Sequence, residues 1–127
     1  MNTRIRFRLR IYRNETIAIG PGKVTLLEAI GATGSISGAA RRLNMSYRRA
    51  WLLVEEMNRA LASPAVATAT GGSRGGGAIL TPVGETIIRR YRAIESRAEA
   101  AATEDIAALT DLLAQDTEDD QKRSPNG

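Results

Sequence analysis

Residues 35–61 read SISGAARRLNMSYRRAWLLVEEMNRAL. Two amphipathic helices with a tight break between them fit this stretch. Ala39, Ala40 and Leu43 put small and apolar groups on one face of a short first helix. Asn44 tolerates the left-handed conformation that a tight turn needs. Met45 packs into the corner, and Ser46 is a good N-cap for the second helix. Ala50, Leu53, Val54, Met57 and Leu61 then recur at helical spacing as its buried stripe. This is the pattern of a helix-turn-helix, whose second helix fits a DNA major groove. Two helices and a tight turn also occur in plain helical packing, so the surroundings must decide.

The exposed start of the second helix carries Ser46, Tyr47, Arg48 and Arg49. Arginine reads guanine O6 and N7 bidentately, and Ser and Tyr reach phosphates or base edges. Arg41 and Arg42, just before the turn, are placed to meet phosphates. Trp51 either stacks on the sugar–phosphate backbone or packs against the neighbouring helix, and packing is the favoured reading. Glu55 and Glu56 are adjacent, so they point in different directions on a helix. They read as surface charge, not as an acid/base pair.

Downstream, Ser63-Pro64 ends the helix. Val66–Thr70 alternate as a short strand, and Ala78–Leu80 return. Between them lies TGGSRGGG, with five of the chain's twelve glycines and one arginine, Arg74. A hairpin wing over 66–80 fits best. Glycine permits positive φ and close approach to a phosphate, which singles out Gly72 and Gly75 beside Arg74. A nucleotide-binding loop fits poorly, because no Gly-Lys-Ser/Thr follows. A merely flexible loop remains the alternative. Thr81-Pro82 then starts a helix, Thr as cap and Pro in its first turn.

Upstream, Gly20-Pro21-Gly22 opens a helix carrying Val24, Leu27 and Ile30, and Gly31 is expected to stop it. Residues 4–12, RIRFRLRIY, alternate strictly, with Arg4, Arg6, Arg8 and Arg10 on one face. That predicts a half-buried strand turning at Arg13–Glu15 into a second strand at Thr16–Ile19. Its arginine face is either a charged edge that blocks aggregation or a binding surface, the edge being favoured. Beyond the wing, Ile87, Tyr91, Ile94, Ala98, Ile106 and Leu109 form a long stripe over 81–114, in which Thr103-Glu104-Asp105 either caps a new helix or sits on a continuing one. Its length suits a partner helix, and Ala98, Ala101 and Ala102 allow close approach. Arg89, Arg90 and Arg92 read as a solvated face. Residues 115–127 are polar and expected to be disordered.

The 127 residues carry a net charge of +4, unevenly placed. Residues 1–92 hold 15 Lys/Arg against 5 Asp/Glu, and residues 93–127 hold 3 against 9. A basic body with an acidic tail predicts a polyanion partner. There is no Cys and no His, which removes disulfides, zinc fingers, the thiol nucleophile and the commonest general base. No catalytic or metal site can be assembled, so an enzyme is the least favoured class. No apolar run is long enough to span a membrane and no secretory signal is seen, so a cytoplasmic protein without a cofactor is expected.

GSISGAARRLNMSYRRAWLLVEEMN (34–58), followed by ATGGSRGGGAILTPVGETII (69–88), resembles the N-terminal DNA-binding domain of the ModE molybdate-responsive regulators. That domain is related to the LysR-type winged helix. The likeness covers roughly residues 20–95, and the SYRRAW, EMN and glycine-wing segments carry it. It implies a homodimer held by N-terminal strands and the helix after the wing, with DNA contacts at Ser46, Tyr47, Arg48 and the wing. Such regulators usually continue into a molybdate-binding domain of small β-barrels. Nothing after Thr81 has the pattern of one, so molybdate sensing would fall to a separate molybdate-binding protein. The expected fold class is mainly α with small β-hairpins: an N-terminal arm (1–19), a winged helix-turn-helix (20–80), a long dimerisation helix (81–114) and a tail. A non-specific architectural DNA binder and a protein–protein module are the alternatives.

Overall fold

A computed structural model describes residues 3–69 and 77–115. Of these, residues 8–69 and 77–95 form one compact unit, and residues 3–7 with 96–115 the other.

In the first unit, β1 (Ile11–Arg13) and β2 (Thr16–Ile19) make a small antiparallel hairpin. Asn14 takes positive φ (57°) at its turn, as short polar residues do more readily than others. The expected strand over 4–12 is therefore cut to its last residues. Alternation says which face a strand would bury, but a ladder also needs a partner, and β2 is only four residues long. Exposure still alternates before the ladder: Arg8 and Arg10 are exposed, and Leu9 between them is half-buried.

Helix α1 (Pro21–Thr33) is the centre of the core. Val24, Leu26, Leu27 and Ile30 are fully buried. The helix runs past Gly31 and ends at Gly34, whose φ of 76° is the left-handed C-cap. Gly31 serves closeness instead: a Cβ there would meet Leu80 Cδ1 at 2.9 Å. Lys23 is 5% exposed on this apolar helix. Its Nζ donates to the Ile17 carbonyl and to the Glu56 carboxylate, tying α1 to β2 and to the following α3 (Tyr47–Ala60). Glu56 is thus an ion-pair partner rather than idle surface charge. Glu55 pairs with Arg59 one turn on, at 3.4 Å.

Helix α2 (Ile36–Arg42) crosses α1 and α3 through Ala39, Ala40 and Ala50, all buried. Ala65, Val66 and Ala78 close the core from the side of the second hairpin. That hairpin is β3 (Val66–Thr68) against β4 (Ala78–Leu80), antiparallel with Ala67 opposite Ile79. The mostly helical fold with two small hairpins matches the expected class.

Helix α4 (Pro82–Ala101) starts as expected. The Thr81 hydroxyl accepts from the Gly84 N–H at 3.1 Å and donates to the Pro64 carbonyl at 2.6 Å. Its first half belongs to this unit. Tyr91 is 2% exposed, and its hydroxyl donates to the Leu9 carbonyl at 2.8 Å. Burial pushes the Tyr91 phenol above its usual pKa, with Glu95 adding to the shift, so it stays a donor. Arg92 departs from the solvated-face reading: it grips both oxygens of Glu28 and reaches Glu95 at 2.7 Å. Those bonds, to Glu28 first, raise its already high pKa further. Arg89 and Arg90 are exposed.

Of the two alternatives for 81–114, a helix continuing through Thr103 or a new one starting there, the structure has the second. Ala102 leaves helical geometry (φ −107°, ψ 16°), and α5 (Thr103–Thr110) follows. The Thr103 hydroxyl donates back to the Ala100 carbonyl at 2.9 Å, the local competition that disturbs helices at Ser and Thr. No α5 residue is buried. No described helix is long and apolar enough to cross a membrane.

Candidate nucleic-acid interface

Small local bonds fix the α2–α3 turn. The Ser35 hydroxyl caps α2 by accepting from Gly38 N–H at 2.8 Å. Leu43 and Met45 N–H groups close back on the Ala39 and Ala40 carbonyls, each at 3.0 Å. Asn44 between them has φ 57°, the expected left-handed position. Ser46 then caps α3, its hydroxyl accepting from Arg49 N–H at 3.1 Å. Ala50, Val54 and Met57 face the core, with Leu53 and Leu61 packed against it.

The opposite face of α3 is open. Tyr47 is 55% exposed, Trp51 41% and Leu52 46%. Trp51 therefore shares a partly exposed face with Tyr47, one turn earlier. Ser46, Arg48, Arg49, Leu52, Leu53 and Glu56 line a shallow groove along the helix. Arg41, Arg42, Arg48 and Arg49 are exposed. Among the described residues, none of the four is in an ion pair. They add to the partial positive charge of a helix N-terminus.

The second hairpin is held at its root. Ala69 N–H meets the Gly77 carbonyl at 2.9 Å, and Ala78 N–H meets the Gly34 carbonyl at 3.0 Å. Asn58 on α3 fixes the other strand: its Oδ1 accepts from Ala65 (2.8 Å) and Val66 (3.3 Å), and its Nδ2 donates to the Val66 carbonyl (3.1 Å). Sequence reasoning missed Asn58. The available signal was a polar residue in the last turn of a helix just before a strand. It also missed Lys23, one of two lysines, whose place among apolar residues at helical spacing was the clue. The expected tip residues Gly72, Arg74 and Gly75 lie outside the described residues.

No family model matches the chain. MopB of Rhodobacter capsulatus, a molybdenum-pterin-binding protein, is 55% identical over 78 residues, covering 61% of this chain and 29% of that protein. ModE of Escherichia coli K12, a DNA-binding transcriptional dual regulator, is 38% identical over 98 residues, covering 74% of this chain and 37% of its own. Over this segment the chain is ModE-like. It spans about a third of the length of the curated ModE and MopB relatives it matches. The fold has a solved counterpart in the CbnR DNA-binding domain, crystallised with DNA. The TM-score is 0.53 at 20% identity, covering 69% of this chain and 95% of that one. In the ModE-like segment, Ser46, Tyr47, Arg48 and Arg49 share the open start of α3, and Arg41 and Arg42 sit one turn away at the end of α2.

The residues expected at a dimer contact are dispersed. Tyr91 is buried in its own unit, and Ile87 packs on that unit's core. Ile94 is 45% and Leu109 66% exposed, while Ala98 and Ile106 are half-buried.

Proposed function

We propose that the chain is a sequence-specific DNA-binding transcription regulator acting as a homodimer. Residues 46–61 enter the major groove, and the glycine-rich wing lies near the backbone or minor groove. The observation that carries this is the start of α3, capped by Ser46 and carrying Arg48 and Arg49, both exposed, beside Tyr47. A capped, cationic helix end suits phosphate, and a forked guanidinium suits guanine. Kinship with a relative named as a DNA-binding transcriptional regulator supports the same reading.

Arg48 acts as a base reader. Arg48→Ala should cost about 1–3 kcal/mol on the preferred sequence and relax the preference at one position. Arg74 on the wing acts as a phosphate contact. Arg74→Ala should weaken all sequences alike and lower the salt slope by about 1. Fluorescence anisotropy across a salt series reads both effects, and unchanged affinity in both variants removes the assignments.

The dimer would use the N-terminal stretch and the exposed apolar residues Ile94 and Leu109, with Ala98 and Ile106 beside them in sequence order. A concentration-independent monomer in sedimentation rejects it. The DNA contacts of these residues need no cofactor in this reading. The deciding experiment is selection of bound fragments from the sheared genome at physiological salt. An enriched inverted repeat supports a dimeric regulator. Recovery without enrichment points to a non-specific architectural binder, which the net charge of +10 over residues 1–92 also suits.

A further inference from the structure

Leu52 is an apolar side chain turned away from the core of its own fold. Ala50 and Val54, two positions to either side of it on α3, are buried. At 3.6 residues per turn, two positions are about 160° apart around a helix. Leu52 therefore points outward, and it is 46% exposed. Its neighbour Leu53 packs against the core instead. A single exposed leucine is ordinary on a protein surface, but this one is set among charges. It lines the shallow groove along α3 with Arg48, Arg49 and Glu56. Arg48 stands one turn before it on the same side of the helix. Glu56, one turn after it, has its carboxylate engaged by Lys23. The groove is an apolar spot bordered by two guanidinium groups.

That mixture selects its occupant. An apolar partner would strip Arg48 and Arg49 of water and leave them unpaired, which is costly. A DNA major groove gives them phosphates and guanine edges. Within that groove, leucine has no hydrogen bond to offer. Packed on a guanine, adenine or cytosine edge, it would take water from a polar group and return nothing. The C5-methyl of thymine is the apolar feature of the major-groove edge, and leucine gains there what it loses elsewhere. Leu52 follows Arg48 by four residues, about 6 Å along the axis at 1.5 Å per residue. Base pairs rise by about 3.4 Å, so the two side chains meet bases no more than about two pairs apart.

We propose that Leu52 is a specificity-determining residue that reads the C5-methyl of a thymine, close to the guanine read by Arg48. It rests on α3 being the base-reading helix, and it adds selectivity without adding charge.

The test uses the full chain and the duplex most enriched from the sheared genome. Each thymine of that duplex is changed in turn to uracil, which removes the methyl and keeps the hydrogen-bonding edge. At the thymine that Leu52 meets, the parent should lose about fourfold in affinity, the worth of burying one methyl group. In Leu52→Ala, and equally in Leu52→Gln, that same change should cost nothing. Leu52→Met, which stays apolar, should keep the parental response. The slope of log affinity against log salt should be the parent's in all three, because no phosphate contact is lost. A parent indifferent to every uracil overturns the proposal. So does a uracil response that persists undiminished in the Ala and Gln variants. A Leu52→Ala chain of altered mass with a parental uracil response makes this face a contact between copies, and also overturns it. The regulator survives these results wherever a sequence was enriched. A chain that enriches no sequence discards both.

Discussion

Gly84→Ala should unfold the chain well below the parent's melting temperature, although alanine is the better helix former by about 1 kcal/mol. Gly84 is buried in the first turn of α4. A Cβ there would stand 2.3 Å from the Ala65 carbonyl oxygen and 3.2 Å from its carbon. The obstacle is backbone, which cannot swing aside like a side chain. That carbonyl also accepts from Thr81 N–H at 3.0 Å, so it is fixed from a second direction. Overpacking a core costs about 1–3 kcal/mol and more where nothing yields. The expected loss is about 3 kcal/mol or more. At about 4–8 °C per kcal/mol for a domain of 60–100 residues, melting should fall by more than about 10 °C. Gly22→Ala is the control, because nothing lies within 4 Å of a Cβ there. It should melt within a few degrees of the parent, on the order of the 0.5–1 kcal/mol helix preference. Equal melting of the two variants, read by circular dichroism, would mean that α4 does not press on Ala65.

Asn58→Ala should cost about 2–4 kcal/mol by a different route. The side chain makes three hydrogen bonds to the backbone of Ala65 and Val66. Both residues are buried, at 0% and 3% exposure, so water replaces the lost partners poorly. Each buried polar group left unsatisfied costs about 1–3 kcal/mol. Asn58→Asp separates the donor from the acceptor. It keeps an oxygen for the two N–H groups and loses the bond to the Val66 carbonyl, so its loss should be the smaller. Urea unfolding reads both. If Asp destabilises as much as Ala, the two accepted bonds contribute little, and the clamp acts through Nδ2 alone.

Local chemistry was legible in the sequence, and distant chemistry was not. The α2–α3 turn could be read because each part acts within four residues: the Ser35 and Ser46 caps, the left-handed Asn44, and the small Ala39 and Ala40. Thr81-Pro82 was legible for the same reason. The N-terminal strand was over-read, because alternation carries no information about whether a partner strand exists. The end of α1 was misplaced because Gly31 and Gly34 both look like stops. Only packing against Leu80 tells them apart. The sequence leaves the break at Ala102 undecided, because Thr103-Glu104-Asp105 suits the first turn of a new helix as well as the middle of a continuing one. Lys23 with Glu56 and Arg92 with Glu28 join residues 33 and 64 apart in sequence, and no local pattern announces such pairs.

The hairpin root has a consequence for how relatives of this chain can diverge. The ladder closes with the bond between Ala69 and Gly77, and the return strand is pinned to the Gly34 carbonyl just beyond it. Strain from a change in the intervening sequence therefore stops at that closure. By loop-closure entropy alone, doubling the length between those two residues costs about 0.6 kcal/mol. Insertions and deletions there leave the body's stability nearly untouched, while a single added methyl at Gly84 does not. The segment can vary in length and charge from one lineage to the next without the rest of the domain having to follow.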